Sequence, residues 1–233
     1  MTDTTAPVPV SGSRPGTSAA AGPDTGPDPV PGRGIAIFDF DGTLIRGDSL
    51  LPFLQLVAGR TRARTALLRS VRSALWKRAV RQGEEDSRTA VKAGLLARTL
   101  KGVPVEQARA AAGQLRGWIR WYPPMVEALR RHAAAGDRIV VATGALKIYM
   151  PDLLTGLPVD DLIATEMEVA DGRFTGRMCH GGNCVREEKA RRVTAYLRDH
   201  GPFTASHGYG NRPSDLPFLA LMQHPTVVKT AQR

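Results

Sequence analysis

Two aspartates one residue apart, Asp39 and Asp41, close the apolar run Ile35-Ala36-Ile37-Phe38 and lead into Gly42-Thr43. A short apolar, β-prone run reads as a buried strand. Carboxylates leaving water at the end of such a strand need a partner, usually a metal or another cation. Three further places set polar groups in comparable positions. Thr143-Gly144 follows the run Arg138-Ile139-Val140-Val141-Ala142, Asn211 and Asp215 follow a strand-like stretch ending at Tyr209, and Lys189 stands near the start of a helical stretch. In an open parallel sheet, ligands bind outside the carboxyl ends of the strands. This set therefore brings two acids, a hydroxyl, a lysine and a second polar cluster to one crevice.

The elements that must position these residues follow from periodicity and punctuation. Residues 124–135 read as a helix with Gly136 past its end. A buried strand is expected at 138–142, a helix at 146–154 and a short strand at 161–165. Residues 166–178 alternate about Asp171-Gly172, a pair suited to a tight hairpin turn. A helix at 187–200, a strand at 204–209, a short helix and a strand at 226–229 complete the pattern. Strands alternating with helices specify an α/β fold with a doubly wound parallel sheet. Between residues 48 and 121 no strand is expected. There Leu67, Leu68, Val71 and Leu75 recur at helical spacing, residues 83–87 read as a break, and 90–100 and 105–118 read as further helices.

Composition bounds the partners. The 233 residues are long enough for one sizeable core, and 42% hydrophobic with 23% charged residues is ordinary for a globular chain. No apolar run approaches the roughly 20 residues that span a bilayer, and the N-terminus lacks a basic start followed by an apolar segment. Two cysteines, Cys179 and Cys184, are too few for a disulfide scaffold. A cytoplasmic, reduced protein is expected. Residues 1–32 are rich in Pro, Gly, Ser, Thr and Ala and read as a disordered tail. The net charge of +10 comes with scattered arginines and no stacking platform or DNA-binding motif, so no nucleic acid is expected as partner.

The four polar places, taken in order, resemble the haloacid dehalogenase superfamily, and within it the phosphoserine-phosphatase-like branch, subfamily IB. The first motif, Asp-x-Asp-x-Thr, stands here as Asp39-Phe40-Asp41-Gly42-Thr43. The second is Thr143 after its strand, the third Lys189, and the fourth Gly210-Asn211-Arg212-Pro213-Ser214-Asp215. A lone Asp-x-Asp is also what a solvated turn looks like. Lys189, amid Arg186, Arg191 and Arg192, is also what a surface helix looks like. The order and the element boundaries carry the resemblance, which covers residues 34–229. It implies a Rossmann-like core at 33–48 and 122–233 and a small helical cap at 49–121. It also implies a Mg²⁺-dependent phosphomonoester hydrolase. Asp39 would be the nucleophile that forms an aspartyl-phosphate, and Asp41 the acid and then the base. Thr143 and the Gly144 amide would hold phosphoryl oxygens, and Lys189 would offset repulsion between the carboxylates and the phosphate. The metal set would be Asp39, the Asp41 main-chain carbonyl and Asn211, with Asp215 nearby. Asn211 departs from the family's usual aspartate and brings no charge. For Asp215 three roles stay open: holding the Asn211 loop, contacting a metal-bound water, or binding lysine.

The expected substrate is a small phosphorylated metabolite, phosphoserine-like or an amino-alcohol phosphate. A phospholipid head-group phosphatase is the alternative, and a weakened, ligand-binding relative a third reading prompted by Asn211. The lipid reading has its own signal. From Arg60 to Arg81 the chain carries many arginines and no acid, with Leu67, Leu68, Val71, Leu75 and Trp76 interleaved. That pattern suits either a solvated basic helix or one lying on an anionic membrane surface. Cys179, His180, Cys184 and His207 match no common zinc spacing and read as free thiols and ordinary histidines. Trp118, Trp121 and Tyr122 are expected to pack between cap and core.

Overall fold

The computed structural model describes residues 1, 33–80, 87–179, 181–211 and 213–229. The expected tail beyond Met1, the break expected from residue 83, Arg81, His180 and Arg212 lie outside the described residues. Strand β1 (Ile35–Phe38) is the centre of a five-stranded sheet. Its companions are β2 (Arg138–Leu146), β3 (Asp161–Thr165), β6 (Ser206–Gly210) and β7 (His224–Val227), in the order β3-β2-β1-β6-β7 and all parallel. Phe38 pairs with Val141 on one side and Tyr209 on the other. The chain leaving these strands therefore places Asp39, Thr143 and Asn211 at one sheet edge.

Period-two alternation splits the strand between two cores. Ala36 and Phe38 join the larger apolar cluster, whereas Ile35 and Ile37 face Val193 of α7 (Arg186–His200) and Phe218 of α8 (Leu216–Leu219). The same alternation sends Asp39 to the α7 side, where Lys189 waits. Helix α5 (Pro123–Ala134) covers the opposite face.

Strand β2 runs past its expected end. It continues through Thr143 and Gly144 to Leu146, because Ala145 and Leu146 are themselves buried, and α6 begins only at Met150 (Met150–Leu154). Its pairing with β3 shifts between Ala142 and Leu146. Such irregularities re-aim side chains next to sites, and this one falls on Thr143. Strand β7 lies two residues earlier than expected and carries Pro225, which an edge strand tolerates.

Between β1 and α5 stand α1 (Leu50–Ala58), α2 (Arg60–Val80), α3 (Ser87–Leu100) and α4 (Val105–Leu115). The hairpin β4 (Met167–Ala170) and β5 (Arg173–Met178) turns at Asp171 and Gly172, both with positive φ, 49° and 71°. Two such residues make the turn that suits the twist of the flanking strands. The hairpin joins the helices, not the main sheet: Gly102 N donates to Phe174 O at 2.8 Å and Val105 N to Gly172 O at 3.0 Å.

Helix α2 forms where the arginine-rich run predicts one, but the apolar stripe does not pack. Ala63, Ala66, Ser70 and Ala74 are buried, with Leu67 beside them, while Leu68 is 65%, Leu75 61% and Trp76 72% exposed. The small residues win because they let α3 approach closely: a Cβ on Gly94 would lie 3.1 Å from Ser70 Oγ. Trp121 packs edge-on against Phe40 at 5.9 Å, as expected of a cap-to-core contact. Trp118 is 46% exposed under the Arg60 guanidinium, and Tyr122 lies under Arg46. Cys179 and Cys184 are free thiols, and His207 stacks on His224. No described helix is long and apolar enough to cross a membrane.

Candidate active site

Asp39 is 5% exposed. One of its oxygens accepts from Lys189 Nζ at 2.8 Å and the other from Thr43 Oγ1 at 3.0 Å. Lys189, on the first turn of α7 and 1% exposed, reaches a second carboxylate, Asp215 Oδ1, at 2.6 Å. Burial by itself depresses an ammonium pKa; here Asp39 and then Asp215 outweigh it and hold Lys189 charged. Burial, followed by repulsion from Asp39, pushes Asp215 up to about 6, against the pull of Lys189. The other Asp215 oxygen accepts the Asn211 backbone N–H at 2.8 Å. Two of the roles left open for Asp215, gripping the Asn211 loop and binding lysine, are thus both occupied.

Asp41 emerges from the same turn on the other side. Its Oδ1 accepts Ser49 N at 2.9 Å, and Ser49 Oγ meets Tyr149 OH at 3.0 Å. Burial, then the carboxylates of Asp48 and Asp39, push the Asp41 carboxyl well above the usual range, which favours its protonated form. The Asp41 main-chain carbonyl accepts Asn211 Nδ2 at 2.8 Å. Gly42 between them has φ +76°, and a Cβ there would sit 2.6 Å from that amide nitrogen, so glycine is required twice over.

Thr143 is fully buried and its Oγ1 accepts the Ala145 N–H at 3.0 Å, leaving the hydroxyl proton to be donated. Gly144 lies so close to Val185 that a Cβ would approach it to 2.8 Å. Its carbonyl accepts from Thr165 Oγ1 at 2.9 Å and from Lys92 Nζ. Lys92 was not singled out by any motif. It comes from α3 and also donates to Asn183 Oδ1 at 2.6 Å, and burial pushes its pKa down to about 8. No local pattern marks it: it is one lysine in an arginine-rich helical stretch, and only the packing of α3 against α2 and β5 brings it to the edge. One cavity of about 760 Å³ is lined by Asp39, Asp41, Thr143, Gly144, Lys92 and Lys189 together. All the sequence-derived site residues therefore converge, Asn211 and Asp215 through their bonds to Asp41 and Lys189.

The charge balance tests a metal. Asp39 and Asp215 share one buried ammonium, so two carboxylates meet a single cation there, with the Asp41 main-chain carbonyl oxygen close by. A half-turn of the Asn211 amide would exchange its donor for an oxygen next to the Asp41 carbonyl oxygen. This all-oxygen donor set fits a hard divalent cation.

The family model of haloacid dehalogenase-like hydrolases matches residues 36–220. Protein CicA of Caulobacter vibrioides is 31% identical over 192 residues, covering 80% of this chain and 82% of that protein. A phosphoserine phosphatase of Archaeoglobus fulgidus is 28% identical over 167 residues, covering 72% of this chain and 44% of that protein. A solved structure of a protein of unknown function from Bordetella pertussis superposes with a TM-score of 0.65 at 28% identity, covering 84% of this chain and 90% of that one.

Proposed function

Because the chain belongs to the haloacid dehalogenase-like hydrolases, we propose that it hydrolyses a phosphomonoester through an aspartyl-phosphate on Asp39. The observation that carries this reading is the division between the two carboxyls of the first motif. Asp39 is held by Lys189 and Thr43 and faces the cavity, while Asp41, two residues on, is pushed toward its protonated form. That is the pairing an in-line displacement uses. Asp39 attacks phosphorus, the bond to the alcohol oxygen breaks, and Asp41 gives that oxygen its proton. Asp41, now a carboxylate, takes a proton from the water that cleaves the aspartyl-phosphate and returns Asp39 to its starting state.

Thr143 donates its hydroxyl proton to a phosphoryl oxygen, joined by the Gly144 amide. Lys189 lowers the repulsion between Asp39 and the phosphate. The metal that fits the donor set is Mg²⁺, which would be held by the Asp39 carboxylate, the Asp41 carbonyl and, after a half-turn of the amide, the Asn211 oxygen, with Asp215 fixing the loop behind. When bound it would supply charge neutralisation on the phosphoryl group. The substrate class is a phosphorylated metabolite, a reading to which the phosphoserine phosphatase relative lends support.

The test is p-nitrophenyl phosphate and a panel of phosphorylated metabolites, with and without Mg²⁺. Turnover is expected, and Asp39→Asn should abolish it. A folded protein that turns over no phosphomonoester overturns the proposal.

One observation favours a second reading, that catalysis takes place at an anionic membrane surface. The outward stripe of α2, Leu68, Val71, Leu75 and Trp76, lies among Arg64, Arg69 and Arg72. Exposed apolar side chains ringed by cations suit insertion between anionic head groups.

A further inference from the structure

We propose that the cavity selects phosphomonoesters whose alcohol portion is bulky and apolar, a substrate class that rests on the phosphomonoesterase reading above. The cavity of about 760 Å³ that contains Asp39 and Lys189 is of the size that encloses a drug-sized ligand, so an organic group has room beyond the phosphate. The far wall is aliphatic. Leu50 and Leu51 from α1, Leu67 from α2, and Val91 and Leu95 from α3 all line it. Three helices thus turn aliphatic side chains toward the same cavity.

The charges of the cavity point the same way. Its cations, Arg88, Lys92, Arg186 and Lys189, suit a phosphate dianion. Among the described residues, α1, α2 and α3 contribute no carboxylate to it. The one carboxylate beside that wall, Asp48 in the loop before α1, is tied through one oxygen to the Leu50 and Leu51 N–H groups at 3.0 and 3.2 Å. An apolar chain laid on this wall gains free energy with each methylene it removes from water.

Kinetics with monomeric ethyl, butyl, hexyl and octyl phosphate, beside O-phosphoserine, read the preference. Alkylphosphonates of the same lengths, which have no leaving alcohol, read it as binding by calorimetry. Both kcat/KM and phosphonate affinity should rise by about fourfold per methylene until the wall is covered, with O-phosphoserine well behind octyl phosphate. Val91→Asn should flatten both series while the thermal melt confirms a folded protein. Turnover that is indifferent to chain length, or faster with O-phosphoserine, overturns the proposal and leaves the phosphatase reading standing. Chain-length-dependent phosphonate binding without turnover of any phosphomonoester supports the apolar preference and removes the phosphatase reading instead. A dependence seen only with lipid phosphates in vesicles also overturns it, since the effect would then belong to the surface and not to the cavity.

Discussion

Asp39 and Asp215 share the buried ammonium of Lys189, and the residue that links their loop to the Asp41 carbonyl is an amide, Asn211. An aspartate in its place would face the Asp41 carbonyl oxygen with a second negative oxygen and demand a cation. The asparagine instead donates to that carbonyl, and its amide oxygen turns toward a metal only when this hydrogen bond is exchanged. An added unit charge at contact range is worth several kcal/mol at the effective dielectric of a protein surface. Asn211→Asp should therefore tighten Mg²⁺ binding by about tenfold or more, as read by titration calorimetry in the absence of substrate. Unchanged affinity would remove Asn211 from the metal set. At this scale the sequence is informative because the pattern is local: Asp39, Asp41, Gly42 and Thr43 occupy one turn. Which partner each carboxylate takes is a different matter. That Asp215 binds both Lys189 and the Asn211 backbone depends on α7 crossing the sheet edge, and no spacing within the fourth motif encodes it.

The lesson of the elements is in α2. Leu67, Leu68, Val71 and Leu75 recur at helical spacing, and the helix is there, yet the face that packs is Ala63, Ala66, Ser70 and Ala74. Periodicity says that a helix forms; it does not say which of two faces a neighbour approaches when one is apolar and the other merely small. Here the close approach of Gly94 to Ser70 decides. The consequence is an exposed apolar stripe bordered by arginines, and its predicted behaviour is binding to liposomes that contain anionic lipid. Co-sedimentation at low salt should be lost on raising the salt, because exposed charges are screened. The double substitution Leu75→Ser and Trp76→Ser should weaken it further. No binding at low salt would remove the membrane-surface reading. Strand β2 shows the converse: the apolar run predicts an end at Ala142, but burial of Ala145 and Leu146 carries the strand on through Thr143, and its pairing with β3 shifts between Ala142 and Leu146.

Across the whole molecule, the inserted helices and the sheet meet at Lys92, which ties α3 to Gly144 and Asn183. Its charge is set chiefly by burial, against Asp41, Asp48 and Cys184, with Lys189 repelling it. The folded pKa of about 8 lies below the unfolded value of 10.5, so between these limits the unfolded chain binds more protons. The contribution of Lys92 to stability should therefore rise with pH from about 8 to 10.5 and be flat below. Urea denaturation of wild type and Lys92→Met across that range isolates it, since Tyr149 and Cys184 titrate in both proteins. Identical pH profiles would show that Lys92 is not held in this environment. Short-range periodicity and chemically constrained residue types make the alternation of strands and helices, the helical stretch after β1 and the set of polar residues that converge at the sheet edge legible in the sequence. Packing between distant segments brings Lys92 to the site, gives Asp215 two partners, turns Leu68, Val71, Leu75 and Trp76 of α2 outward while Leu67 faces the cavity, and walls that cavity with aliphatic side chains from three helices. Each of these depends on contacts between segments far apart in the chain, where the winning arrangement is set by packing and shared burial and leaves no local mark.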